Sequence, residues 1–328
     1  MKKILSLALC ALMLISALTA CGGEKKPDGE TANVKFGAAV YVSTPSATDA
    51  TEDKDGQGAV DVTAAAVTVD ADGKIVACDL DTMQNKVTYT TEGKAMANAE
   101  FKTKRELGDA YNMVTYGQAK QEWYKQADAF EGLVAGKTVA EIKALVAEEN
   151  KGTDEVVNAG CTIMIHEFVG AIEKAVANAK TEVAADATVK VTLNTTQTCT
   201  DATEDAAGSN KVETYVFGAA LKDGKVVSAD SDCVEVSFGF DVAGKSSFDA
   251  SAAVQSKREK GDAYGMVAYG GSAKEWYAQA DAFDAACEGK TGAEIAGLMG
   301  EDYKGIDSLQ SAGCTIYVSG FVAAASKI

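Results

Sequence analysis

Apolar positions recur along this chain with two different periods. In residues 65–69 and again in 74–78 they follow the strand pattern, and Asp70-Ala71-Asp72-Gly73 between them supplies the tight turn of a hairpin. Residues 215–221, Asp223-Gly224 and residues 225–227 repeat that hairpin further on. Elsewhere the period lengthens. Trp123, Ala127, Phe130 and Val134 stand at i, i+4, i+7 and i+11, as do Trp276, Ala280, Phe283 and Cys287, which predicts a helix with one apolar face in each place. Gly136 and Gly289 stop these helices, and Thr138 with Glu141, like Thr291 with Glu294, has the spacing of a capping box that starts the next helix. Residues 161–165 read as a last strand-like piece, followed by a helix near 167–180.

The two sets of elements are copies of one another. Residues 104–174 align without gaps on 257–327, with 39 of the 71 paired positions identical. Arg105-Glu106, Gly108-Asp109-Ala110-Tyr111, Glu122-Trp123-Tyr124 and Ala159-Gly160-Cys161-Thr162-Ile163 all recur. Upstream the match thins but continues, since Asp72-Gly73-Lys74 pairs with Asp223-Gly224-Lys225. A period near 150 residues is far longer than the roughly 20–50 of solenoid repeats, so the expectation is two tandem homologous domains, 34–180 and 187–328. Each reads as α+β, with an N-terminal antiparallel strand region followed by helices.

The front of the chain carries an address. Met1-Lys2-Lys3 precedes an apolar run that is too short to span a membrane and ends in Leu18-Thr19-Ala20-Cys21. That ending resembles the lipobox of bacterial lipoproteins. It implies a signal peptide over 1–20, lipid on Cys21, a tether over 21–33, and an extracytoplasmic protein anchored to the cell membrane. With 48 acidic against 31 basic residues the net charge is −17, which argues against a nucleic-acid partner, because binding phosphates needs clustered Lys and Arg.

Candidate chemistry is sparse. Gly136-Lys137-Thr138 and Gly289-Lys290-Thr291 end like a phosphate-binding loop, but Glu131 and Asp284 occupy its first glycine position, so they read as helix punctuation. His166, the one histidine, faces Ser319 in the second copy and reads as a surface or capping residue. Of the cysteines beyond Cys21, Cys78, Cys199, Cys233 and Cys287 lack counterparts, which leaves a private Cys199–Cys233 bridge open. Cys161 and Cys314 correspond and read as core thiols. Arg105 and Arg258, with Lys104 and Lys257, read either as a phosphate clasp or as a solvated basic face. The stretch 108–117 and its copy 261–270 place two tyrosines and a methionine among glycines. That suits a flat aromatic ligand or, equally, a packed loop that closes the core.

Ala159-Gly160-Cys161-Thr162 after Asp154, followed by an alanine- and lysine-bearing helix, resembles the end of the FMN-binding domain family, as does Val67-Thr-Val-Asp-Ala-Asp-Gly-Lys-Ile-Val76 its central hairpin. The resemblance implies that Thr162 and Thr315 correspond to the threonine that carries FMN in flavinylated members. The resemblance adds Gly160 and Gly313 of the same motif to the candidate cofactor site, to which the loop reading adds Tyr111 and Tyr264. It further implies a flavin carrier in extracellular electron transfer with a membrane redox partner, the redox chemistry belonging to the cofactor. The alternative is a non-enzymatic surface module that binds a small ligand or a protein, with duplication raising avidity. No nucleophile, base and orienting residue recur together in both copies, so enzymatic activity is left undecided.

Overall fold

Alanine, valine and threonine crowd the early part of each half, where branched side chains fit a pleated sheet. The computed structural model describes residues 33–328; the expected signal peptide, Cys21 and all but the last residue of the expected tether lie outside the described residues. The first half forms β1 (Asn33–Val42), β2 (Ser46–Thr48), β3 (Gly56–Val69), β4 (Ile75–Tyr89) and β5 (Ala95–Met96). Helices α1 (Lys104–Leu107), α2 (Trp123–Val134), α3 (Val139–Lys143), α4 (Asp154–Ala159) and α5 (His166–Asn178) follow. The second half opens with β6 (Thr181–Ala184), β7 (Thr188–Thr200), β8 (Gly208–Lys222) and β9 (Lys225–Phe240). It continues with α6 (Lys257–Lys260), α7 (Trp276–Cys287), α8 (Gly292–Ile295), α9 (Asp307–Ser311) and α10 (Ser319–Ala325). The class is α+β with antiparallel sheets, as the sequence suggests. The capping boxes at Thr138 and Thr291 are formed, and Thr103 and Ser256 supply two more.

The strands make two sheets, ordered β5-β4-β3-β1-β6 and β7-β8-β9. Their inner faces pack on each other: Phe36, Val40, Val62 and Val87 of the first sheet share one core with Leu193, Val216, Val236 and Phe238 of the second. Each outer face is covered by helices of its own half. Trp123, Phe130 and Phe168 lie over Val67 and Leu80, while Trp276, Phe283 and Phe321 lie over Phe217 and Val226. The result is a helix–sheet–sheet–helix stack with three cores. Gly58 lets the sheets close together, because a Cβ there would lie 2.3 Å from the Phe238 ring.

Contacts across this seam occur in reciprocal pairs, as in an isologous interface. Ala50 donates its N–H to Gly244 at 2.8 Å and Ala202 donates to Gly93 at 2.8 Å. Lys174 pairs with Glu259, and Lys327 with Glu106. Tyr89 of one half stacks on Phe240 of the other, with ring centres 4.4 Å apart.

Two expectations need correction. Residues 161–165 are not a strand: their N–H groups bond instead to Val156, the Gln126 side chain and Asn150, and only Met164 makes a lone bridge, to Lys151. A Cys199–Cys233 disulfide is excluded by register. Cys199 faces Asn210 and Cys233 faces Tyr215, five residues along the intervening strand β8. That is roughly 17 Å, against the ~7 Å between Cα atoms that a bridge tolerates. The hairpin strands are also longer than the alternation suggests, 14 residues in β3 and 15 in β4. Polar Asp61, Thr63, Asp79 and Asp81 lie within them and interrupt the apolar signal.

Candidate functional site

One helix start ties the glycine-rich loop to the threonine segment. Glu122 precedes α2 at the N-cap position, and its carboxylate accepts the N–H groups of Met113 at 2.8 Å and Val114 at 3.1 Å, which fixes the glycine-rich loop. One turn on, Gln126 is only 1% exposed. Its side-chain oxygen accepts both the N–H (2.8 Å) and the hydroxyl (3.0 Å) of Thr162, and its amide donates to the Gln121 carbonyl at 2.9 Å. The second half repeats the device. Glu275 holds Met266 at 2.9 Å and Val267 at 3.1 Å, while Gln279 accepts from the N–H and hydroxyl of Thr315 at 2.8 and 2.9 Å. Burying an amide is costly unless its polar atoms are satisfied, and both glutamines are. Gln126 and Gln279 recur in the sequence repeat, but nothing in the sequence marks them as the clasp.

Gly160 and Gly313 end α4 and α9 with φ of 109° and 104°, a left-handed turn that favours glycine. That turn brings Cys161 and Cys314 inward and leaves Thr162 and Thr315 exposed. Both thiols are buried in the helical cores, and burial pushes each up to about 11, far from a reactive thiolate.

Tyr111 and Tyr264 are half-buried and already occupied. Lys104 lies 5.4 Å from the Tyr111 ring and 5.6 Å from Trp123; Lys257 lies 5.2 Å from Tyr264 and 5.9 Å from Trp276. The open rings of the same loops are Tyr116 and Tyr269, 82% and 92% exposed. On the same loops Val114 and Val267 are exposed, and in the threonine segments Met164 and Tyr317 stand exposed two residues after the threonines. Each half thus exposes apolar and hydroxyl-bearing side chains on two segments tied to one helix start.

The arginines form neither a phosphate clasp nor a solvated face. Arg105 donates to the Leu80 carbonyl at 2.6 Å, to Asp128 at 2.7 Å and to Glu131 at 2.5 Å, with Asp79 at 4.0 Å. Arg258 bonds the Ser231 carbonyl, Asp281 at 2.6 Å and Asp284 at 2.8 Å, with Asp230 at 3.3 Å. Several carboxylates share one guanidinium in each cluster. Burial outweighs that single charge and pushes Glu131 and Asp284 up to about 7, and burial likewise lifts Asp81 and Asp232 to about 6. His166 opens α5 with its ring edge-on to Tyr41, and its buried Nδ1 has no hydrogen-bond partner among the described residues. Among the described residues no cluster of His, Cys, Asp or Glu is grouped to hold a metal ion.

For a threonine-bound flavin the fit is incomplete. Both threonines are exposed, yet esterification would remove the hydroxyl donor that each buried glutamine oxygen now receives. Six positions before the threonines, where the FMN-binding family has an acid, stand Val156 and Leu309, both buried in the helical cores. The geometry suits a ligand laid on the surface better than one esterified to threonine. A scan against protein-family models finds no match, and neither do searches of curated proteins and of solved structures.

Proposed function

We propose that this chain is a lipid-anchored, extracytoplasmic binding module made of two homologous domains, each of which binds a small flat aromatic ligand on its outer loop surface. The observation that carries this reading is the repetition of one exposed set, Tyr116, Val114 and Thr162 against Tyr269, Val267 and Thr315, on loops braced by the same Glu and Gln residues. Bracing an exposed ring lowers the ordering cost of binding. Stacking on tyrosine supplies affinity, while the threonine hydroxyl and the loop amides give polar contacts at the edge. Flavin is the candidate ligand through the resemblance to FMN-binding domains, and it would bring the redox chemistry of electron transfer with it. A protein partner on the same surface is the second reading, favoured by the exposed Met164 and Tyr317 beside the threonines.

Titration of the full-length chain with FMN, followed by flavin fluorescence and intact mass, tests this. Reversible quenching with no retained mass is expected. A mass gain that survives denaturation and disappears in the Thr162→Ala, Thr315→Ala double variant would replace it with a covalent flavin carrier. Absence of quenching would favour the protein partner.

A further inference from the structure

The segment that leads into α9 encloses an open hollow of about 670 Å³ on the second half. Asp302, Asp307, Ser308 and Gln310 give its lining hydrogen-bonding groups, and the exposed Ile306 adds an apolar contact. Gln310 donates its amide to the Gly305 carbonyl at 2.7 Å, which leaves its side-chain oxygen as an acceptor. Tyr303 belongs to the same segment and is 60% exposed, and Tyr317, whose backbone bridges to Lys304, is 61% exposed.

The first half shows what these tyrosines replace. In the repeat alignment Asn150 stands where Tyr303 is, and Met164 where Tyr317 is. Asn150 and Tyr303 share a left-handed backbone, with φ of 62° and 64°. Asparagine tolerates that conformation, whereas a bulky aromatic residue is strained in it. The backbone at Tyr303 is nevertheless pinned, since its N–H bonds Gly300 at 3.1 Å and its carbonyl accepts the Val318 N–H at 2.9 Å. Burial does not offset the strain, because most of the side chain lies in solvent. Strain kept for an exposed ring points to a role for that ring in binding. The charges around it differ as well. In the first half Lys151 pairs with Glu149 at 2.8 Å and Lys137 with Glu155 at 3.0 Å. In the second half Ser308 takes the place of Glu155, and Lys304, the counterpart of Lys151, lies 5.6 Å from the centre of the Tyr317 ring. The segment therefore brings a cation of its own, and what distinguishes it is a pair of exposed rings beside hydroxyl and amide groups.

We propose that Tyr303, Tyr317 and the adjoining hollow bind a neutral oligosaccharide. Hexopyranose rings with equatorial substituents present flat C–H faces that stack on exposed tyrosines, and their hydroxyls donate to the oxygens of Asp307 and Gln310 and accept from Ser308. The proposal does not rest on a flavin or other aromatic ligand at the outer loops, because Tyr303 and the hollow lie outside the set of Tyr269, Val267 and Thr315. Calorimetric titration of the full-length chain with tetra-N-acetylchitotetraose and, separately, with cellotetraose tests it. Saturable binding of one equivalent of at least one of the two sugars is expected, since the first half has neither tyrosine. Tyr303→Asn and Tyr317→Met install the residues that the first half already carries at these positions, so they test the site without threatening the fold. Each should weaken binding about three-fold or more. FMN titration should be unchanged in Tyr303→Asn, so that this proposal and the reading of the outer loops fail separately. No saturable binding of either sugar, two equivalents per chain, or undiminished affinity in the double variant would overturn the proposal.

Discussion

The outer surfaces of the two halves are nearly interchangeable, whereas the regions where the halves meet are not. Outside, matching Glu, Gln and Thr residues make the same bonds within 0.1 Å of one another. At the seam, Lys190 stands 3.8 Å from Asp79, whereas the matching position beside Asp230 is Gly37, packed against the backbone of Ala175 and Ala179. α5 is 13 residues long and its counterpart α10 is 7. The outer loops thus keep one set of bonds, while the seam keeps its reciprocal backbone bonds and ion pairs but differs at single positions and in the length of its helices.

The largest expected effect breaks the comparison altogether. Phe238→Ala empties the core that both sheets share and should cost about 3–5 kcal/mol. Because that core belongs to both halves, urea unfolding followed at Trp123 and Trp276 should remain a single transition shifted to lower denaturant. Two separated transitions would mean that the halves are independent.

Removing the arginines sharpens the difference at the seam. Arg258→Ala removes the guanidinium that the buried Asp284 and Asp230 share and should destabilise by about 3–5 kcal/mol. Arg105→Ala should cost less, since Lys190 remains beside Asp79; equal losses in thermal melts would contradict this.

The same clusters set a pH dependence. Asp284 and Glu131 at about 7, and Asp81 and Asp232 at about 6, hold their protons more tightly in the folded than in the unfolded chain. Their contribution is therefore fully present below the unfolded values near ~4 and is lost as pH rises through 6 to 7. Melting temperature should fall between pH 5 and pH 8, and the fall should be shallower in Asp284→Asn. A rise across that window would refute the assignment.

Smaller effects test the likeness of the outer surfaces. Gln126→Ala and Gln279→Ala each leave a threonine N–H without its acceptor and should cost about 1–3 kcal/mol, alike in the two halves. Hydrogen exchange at Thr162 and Thr315 should speed up only in the half that is altered. Tyr116→Ala and Tyr269→Ala should change stability by no more than about 0.5 kcal/mol, as surface substitutions do.

Much of this architecture is legible in the sequence because it is local. The hairpins, the Trp-bearing helices and the Thr138 and Thr291 capping boxes each depend on residues within a few positions of one another. What was not legible depends on distant partners. Arg105 reads as a solvated cation until β4 and α2 bring Asp79, Asp128 and Glu131 around it. Residues 161–165 have a strand-like composition, yet Gln126 and Asn150 take their N–H groups before any strand can. In the candidate site the sequence marks the threonines and the glycine turns. Which tyrosine is open is decided by Lys104 and Lys257, whose ammonium groups occupy Tyr111 and Tyr264. The seam escapes self-comparison entirely, since a repeat reveals what two copies share and not how they face each other.

The most direct test of two matched outer sites is the stoichiometry of FMN binding to the full-length chain, compared with Tyr116→Ala, Tyr269→Ala and the double variant. Two equivalents in the original chain, one in each single variant and none in the double variant would bear the account out. A single equivalent at the start, or binding that survives loss of both tyrosines, would contradict it.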